Sequence, residues 1–140
     1  MARRETFQCT VITPERQVLD CEAKFVAFPA HDGEFGVLVN RAPLVCKLGI
    51  GLLRIETAND RHVMMVDEGF AQVVDNRLTI LTESTAHAED LDAAVVEQSR
   101  VEARAMRVPD EAGYRARSKA IQRAQVQLRL VRTEGSKEKA

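Results

Sequence analysis

Residues 33–55, GEFGVLVNRAPLVCKLGIGLLRI, decide the fold. The stretch falls into very short apolar segments parted by Gly33, Gly36, Pro43, Gly49 and Gly51. Glycine takes positive φ without steric cost and proline cannot donate to a central ladder, so each of these positions marks a place for a strand to turn. The expectation is a succession of short β-strands.

The flanks repeat the pattern. Phe7, Cys9 and Val11 alternate with polar neighbours, and Phe25 and Ala27 oppose Val26 and Phe28. Further alternating segments cover 52–57, 62–66, 70–74 and 78–82. Between them lie Asn59-Asp60, Asp67-Glu68-Gly69 and Asp75-Asn76-Arg77, which carry tight-turn chemistry. Strands recurring every 8–12 residues or so predict an antiparallel sandwich or barrel. Eight or more short strands are expected.

The pattern changes once, near Ala86. Alanine then becomes frequent, and Leu91, Ala94, Val95, Val101, Ala105 and Val108 recur at helical spacing. Asp90 and Asp92 stand at the front of this segment and Arg100, Arg104 and Arg107 at its back, which complements the helix dipole. Pro109 ends the first helix and Asp110 can cap a second. The inward stripe of that second helix reads Ala116, Ala120, Ile121, Ala124, Leu128 and Val131. The fold class is therefore α+β, an N-terminal antiparallel β-sandwich followed by an antiparallel helical hairpin. The expected domains are 1–86, 87–134 and a polar tail, 135–140. Alanine-rich stripes bury little area, so the hairpin is expected to be helical yet loosely held.

Composition narrows the function. The chain has 140 residues and a net charge of −1, so no bulk field draws it to nucleic acid or anionic lipid. Trp is absent and Tyr114 is the single tyrosine, leaving few platforms for stacking bases. Cys9, Cys21 and Cys46 are odd in number and widely spaced, which fits a reducing compartment with buried thiols better than a disulfide framework or a zinc site. No apolar run follows Arg3-Arg4, and none reaches the roughly 18 residues of a membrane span. Membrane association is expected only through partners.

Charge is unevenly distributed. Residues 1–86 carry nine basic against twelve acidic side chains, and residues 87–140 carry eleven against nine. Between Gly113 and Thr133 lie Arg115, Arg117, Lys119, Arg123, Arg129 and Arg132, with no acidic residue. A solvated helix usually mixes signs. A one-signed helix suits either a plain solvated surface or an acidic protein partner.

Enzyme motifs are missing. There is no G-x-x-x-x-G-K-[ST] loop and no G-x-S-x-G elbow, and His31, His62 and His87 lack metal-ligand spacing. His31-Asp32 could pair a base with its orienter, but the dipeptide reads better as a polar turn. No metal or cofactor is expected.

Four segments in order carry a resemblance. TFQCTVITPERQVLD, the 33–55 stretch, VDEGFAQVVDNRLTILTESTAHAEDLD and KAIQRAQVQLRLV together resemble the epsilon subunit family of F-type ATP synthases. The resemblance implies a non-catalytic central-stalk subunit at the cytoplasmic side of the bacterial plasma membrane. Its sandwich, of about ten short strands, would hold the gamma subunit and rest on the c-subunit ring through Glu34, Arg41, Ala42 and Pro43. Its hairpin would restrain ATP hydrolysis by setting Arg115, Arg117, Lys119, Arg123, Arg129 and Arg132 against an acidic segment of a catalytic beta subunit. Some members bind ATP through an (I/L)-D-x-x-R-A motif. Leu91-Asp92 keeps its first two letters, Val95 stands where arginine is expected, and Gln127 replaces a second-helix arginine. Asp92 and Arg123 remain as weak ATP-site candidates. The alternative reading is a free-standing β-sandwich binding module whose helical appendage senses a small molecule such as ATP.

Overall fold

The computed structural model describes residues 5–135. Eight strands come first: β1 (Phe7–Ile12), β2 (Gln17–Ala23), β3 (Phe25–Ala30), β4 (Gly33–Leu38), β5 (Leu44–Glu56), β6 (Arg61–Val74), β7 (Arg77–Thr82) and β8 (Thr85–Ala86). A 3-10 turn over Ala88–Asp90 precedes α1 (Ala93–Ala105) and α2 (Glu111–Gly135). The chain forms two compact units that part between Thr85 and Ala86. Of the tail expected at 135–140, Gly135 closes α2 and residues 136–140 lie outside the described residues.

The strands hydrogen-bond in the order β2-β1-β7-β6-β5-β3-β4, with β8 on β6. Two long strands make this path a sandwich. Residues 44–48 of β5 pair with 69–73 of β6, which in turn pairs with β7; residues 54–56 of β5 pair with β3. The β5–β6 ribbon thus passes from one layer into the other. The inner faces bury Cys9, Val11, Leu78 and Ile80 from the first layer and Val26, Phe28, Leu53 and Met64 from the second. Each is almost wholly excluded from water, and a buried side chain of this size contributes about 1.5–3 kcal/mol.

Eight strands is the lower bound that the spacing sets and fewer than the ten or so that the resemblance implies, because two expected breaks do not occur. Gly49 and Gly51 lie inside β5. A Cβ on Gly51 would sit 2.6 Å from Pro29 Cβ, so the glycine admits the proline ring instead of turning the chain. Pro29 has no N–H for the ladder, and the β3–β5 register shifts there, between Ala27 and Ala30. Asp67-Glu68-Gly69 is likewise a bend within β6, not a turn between two strands. Glu68 and Gly69 have φ of 57° and 127°. The Asp67 N–H donates to Thr82 Oγ1 (3.1 Å), and that hydroxyl donates to the Glu68 carbonyl (2.7 Å). A threonine of β7 therefore satisfies the backbone where β6 leaves its ladder. One pair, β1 with β7, runs parallel, so the sheet is mixed and not purely antiparallel.

Asp75-Asn76 does form a two-residue hairpin. Their φ values of 50° and 61° are those of a type I′ turn, whose twist matches the flanking strands. His31-Asp32 joins β3 to β4, and the His31 N–H donates to the Lys47 carbonyl (2.8 Å).

In the helical unit, Asp92 caps α1 by accepting from the N–H groups of Ala94 (2.8 Å) and Val95 (3.5 Å). Asp110 Oδ1 accepts from the Gly113 N–H (2.7 Å) at the start of α2. The first helix ends at Ala105, earlier than Pro109 requires, because Met106 is already extended at ψ 134°. Its buried residues are Val96 and Ala103, while Val95 and Val101 of the expected stripe are 62% and 52% exposed. On α2 the expected Ala124 is buried, Ala116 is exposed, and Val126 and Leu130 are buried off the expected stripe.

Candidate functional site

The turn-borne candidates lie before and after the body of β4. Arg41, Ala42 and Pro43 are exposed in the connection between the two strands, and Glu34 is exposed near the start of β4. The Arg41 guanidinium carbon lies 5.4 Å from the centroid of the Phe35 ring, a cation–π distance. That ring stacks on Phe28 of the core, with centroids 5.4 Å apart. Arg41 is thereby tied to the sandwich through an aromatic pair.

Arg54, which the sequence reading left aside, and Asn76, read there only as a turn residue, hold these segments. Arg54 Nη2 donates to Glu34 Oε1 at 2.7 Å, reaching from β5 across the intervening β3 to β4. Asn76 Oδ1 accepts from the Asn40 N–H (2.8 Å), while Asn76 Nδ2 donates to the Thr6 carbonyl (2.8 Å). Asn40 has φ of 62°, a left-handed conformation that asparagine tolerates better than most residues. The Asn76 carbonyl also accepts from the Gln8 N–H (3.2 Å). One turn residue therefore organises a second turn 36 positions away. Sequence could have flagged Asn76 only as half of a hairpin, because the partner turn is remote in the chain.

The basic candidates do not form one continuous face. Arg115, Lys119, Arg129 and Arg132 are exposed on α2, whereas Arg117 and Arg123 are half-buried. The Arg117 guanidinium lies 5.8 Å over the Tyr114 ring, and its Nε is buried without a hydrogen-bond partner. Glu111 stands in the first turn and Arg132 in the last, which suits the helix dipole. Asp92, the first of the two ATP-site candidates, is engaged in capping α1, and the second, Arg123, lies half-buried on α2.

All three thiols are shifted toward their protonated form. Burial, and after it the nearby Cys21 and Asp20, push the Cys9 thiol up to about 12 from its ordinary 9.0. Burial and Asp20 raise Cys21, and burial and Asp32 raise Cys46. Among the described residues no cluster of three or more His, Cys, Asp or Glu side chains is placed to hold a metal. No helix among them is long and apolar enough to cross a membrane.

These features describe a sandwich-and-helix protein whose candidate residues sit on β4, on the turn that follows it and along a helix. The chain belongs to the ATP synthase delta/epsilon family, whose β-sandwich domain model matches residues 6–88. An ATP synthase epsilon chain from Rhodopirellula baltica is 41% identical over 129 residues, which are 91% of this chain and 99% of that protein. Another from Nitratidesulfovibrio vulgaris is 34% identical over 122 residues, 86% of this chain and 91% of its own. A chain of the Euglena gracilis mitochondrial ATP synthase, seen in its OSCP/F1/c-ring assembly, superposes with a TM-score of 0.80 at 23% identity. The match covers 89% of this chain and 81% of that one. A chain of the Tetrahymena thermophila central stalk and c-ring gives 0.67 at 15% identity, covering 94% and 99%. At such identities the likeness is one of fold.

Proposed function

We propose that this chain is a non-catalytic central-stalk subunit of a rotary ATP synthase, coupling proton translocation to ATP synthesis. Its β-sandwich binds the gamma subunit and sets the Glu34 and Arg41–Pro43 region against the polar loops of the c-subunit ring. It reaches the cytoplasmic side of a bacterial plasma membrane through the complex alone. The observation that carries this reading is the extent of the likeness: the Rhodopirellula baltica epsilon chain is matched over 99% of its length, helices included. The tethering of the 40–43 turn by Asn76 supports it, since a turn that must meet a rotating ring gains from being held in one shape before contact.

The helical unit acts as a brake on ATP hydrolysis. The exposed cations of α2 attract an acidic segment of a catalytic beta subunit. Such attraction steers docking and is screened beyond a Debye length of about 8 Å at physiological salt. The test is ATP hydrolysis by the assembled complex carrying a chain truncated after Ala86. Faster hydrolysis with assembly intact is the expected outcome; unchanged hydrolysis removes the brake, and loss of assembly reassigns the helices to binding.

A further inference from the structure

We propose that Cys9 and Cys21 are a modification site, closing into a reversible cross-strand disulfide when the protein meets a hydroperoxide. The two residues are direct partners in the antiparallel β1–β2 ladder. Opposed residues of such a ladder point to the same side, with Cα atoms about 4.5–5.5 Å apart. That range lies inside the roughly 4.4–6.8 Å that a disulfide spans, so closure needs side-chain rotation and little backbone movement. Both thiols are free and face the same core, Cys9 at 0% exposure and Cys21 partly buried against it.

The third cysteine is excluded by topology. Cys46 is on β5, and β7 and β6 stand between that strand and β1. At about 4.8 Å per strand step, it lies some 14 Å from Cys9, too far for a bond. Position also divides the labour between the pair. β2 is the end strand of the sheet, so Cys21 is reachable by a small oxidant, whereas Cys9 on β1 is flanked on both sides.

In the first step the Cys21 thiolate attacks one peroxide oxygen. An S–O bond forms, the O–O bond breaks, and an alcohol (water, from hydrogen peroxide) leaves after protonation. In the second step Cys9 sulfur attacks the resulting Cys21 sulfenic acid; the S–S bond forms, the S–O bond breaks, and water leaves with the Cys9 proton. Two thiols lose two electrons and the hydroperoxide gains them. Burial and the carboxylate of Asp20 keep both thiols protonated at neutral pH, so the pair responds slowly there and faster in mild alkali.

The experiment uses the full-length chain and its Cys46→Ser and Cys21→Ser variants, treated with hydrogen peroxide at mildly alkaline pH. Intact mass and non-reducing peptide mapping are the readouts. The expected result is loss of two hydrogen atoms, a linked Cys9–Cys21 peptide, and reversal by dithiothreitol. Cys46→Ser should behave like the parent and Cys21→Ser should show no internal link. The oxidised monomer should melt several degrees higher, because the bridge restricts the unfolded chain. A gain of two oxygens on Cys21 without a link, a bridge through Cys46, or an unchanged mass would each overturn the proposal.

Discussion

The Asn40 N–H donates to Asn76 Oδ1 at 2.8 Å, joining the β4–β5 turn to the β6–β7 hairpin. Because Asn76 Nδ2 also holds the Thr6 carbonyl, a single side chain secures two remote backbone groups. Asn76→Gly keeps the left-handed backbone available while deleting the side chain, so it isolates those two bonds. We expect a loss of about 1–3 kcal/mol in urea unfolding. Amide exchange at Asn40 should accelerate more than exchange in the β5–β6 ladder; equal acceleration everywhere would mean that Asn76 acts only on global stability.

Gly69→Ala should be among the most damaging single-methyl changes in the sandwich. Gly69 has φ of 127°, and a Cβ there would stand 1.9 Å from the Leu81 carbonyl oxygen. Relief requires β6 to separate from β7, at a cost above about 2 kcal/mol. Gly33→Ala provides the comparison, since its φ is also positive but nothing lies within 4 Å of the added methyl. A smaller shift in thermal midpoint at Gly69 than at Gly33 would contradict the steric argument.

The Cys9 thiol gives stability a defined alkaline limb. Below pH 9 the thiol holds its proton in both folded and unfolded chains and contributes no pH dependence. Between the ordinary 9.0 and about 12 the unfolded chain releases that proton and the folded chain keeps it. The unfolded state then binds fewer protons, so stability falls as pH rises, by up to about 1.4 kcal/mol per pH unit from this group. Cys21 and Cys46 act in the same direction. Urea midpoints measured from pH 8 upward should decline, and in Cys9→Ala the decline should be shallower.

Removing the α1 cap should be felt locally. Asp92→Ala leaves the Ala94 and Val95 N–H groups without their carboxylate acceptor, a loss of about 0.5–2 kcal/mol. Amide exchange should rise through the first turn of α1 and stay unchanged at Leu53 and Ile80. A coequal rise at those two core positions would show that the two units unfold together.

The ion pair between Arg54 and Glu34 should matter little for folding. Its side chains are 43% and 59% exposed, so water screens much of the attraction. Arg54→Ala is expected to cost less than about 1 kcal/mol. Any larger effect on assembly than on folding would mark Glu34, freed of its partner, as a contact group.

The alternation of Phe7, Cys9 and Val11 and the turn chemistry of Asp75-Asn76 were legible because each depends on neighbours in sequence. The passage of β6 through residues 67–69 was not. Its turn-like composition answers to Thr82 on another strand, which supplies the acceptor and donor that a true turn would find within itself. The glycines of β5 misled for the same reason: the Pro29 ring that Gly51 accommodates is 22 residues earlier. On α1 the difficulty was different. Ala94, Val101 and Ala105 form an apolar sector as credible as the one containing Val96 and Ala103, and alanine-rich helices give periodicity too little contrast to choose. Of the candidate site, Glu34 and the 40–43 turn could be named from resemblance, but Arg54 and Asn76, which hold them, required coordinates.

The β5–β6 ribbon has one more consequence. At about 3.4 Å per residue, the 14 residues of β6 extend some 45 Å, and the pairing with β5 keeps its register from Leu44↔Val73 to Glu56↔Arg61. A twist imposed on one end of such a ladder finds no slipped pair in which to dissipate, and the bend at Asp67-Glu68-Gly69 is the one place along β6 where the pairing with β5 is interrupted. Torque would either pass to the opposite end or be taken up at that bend.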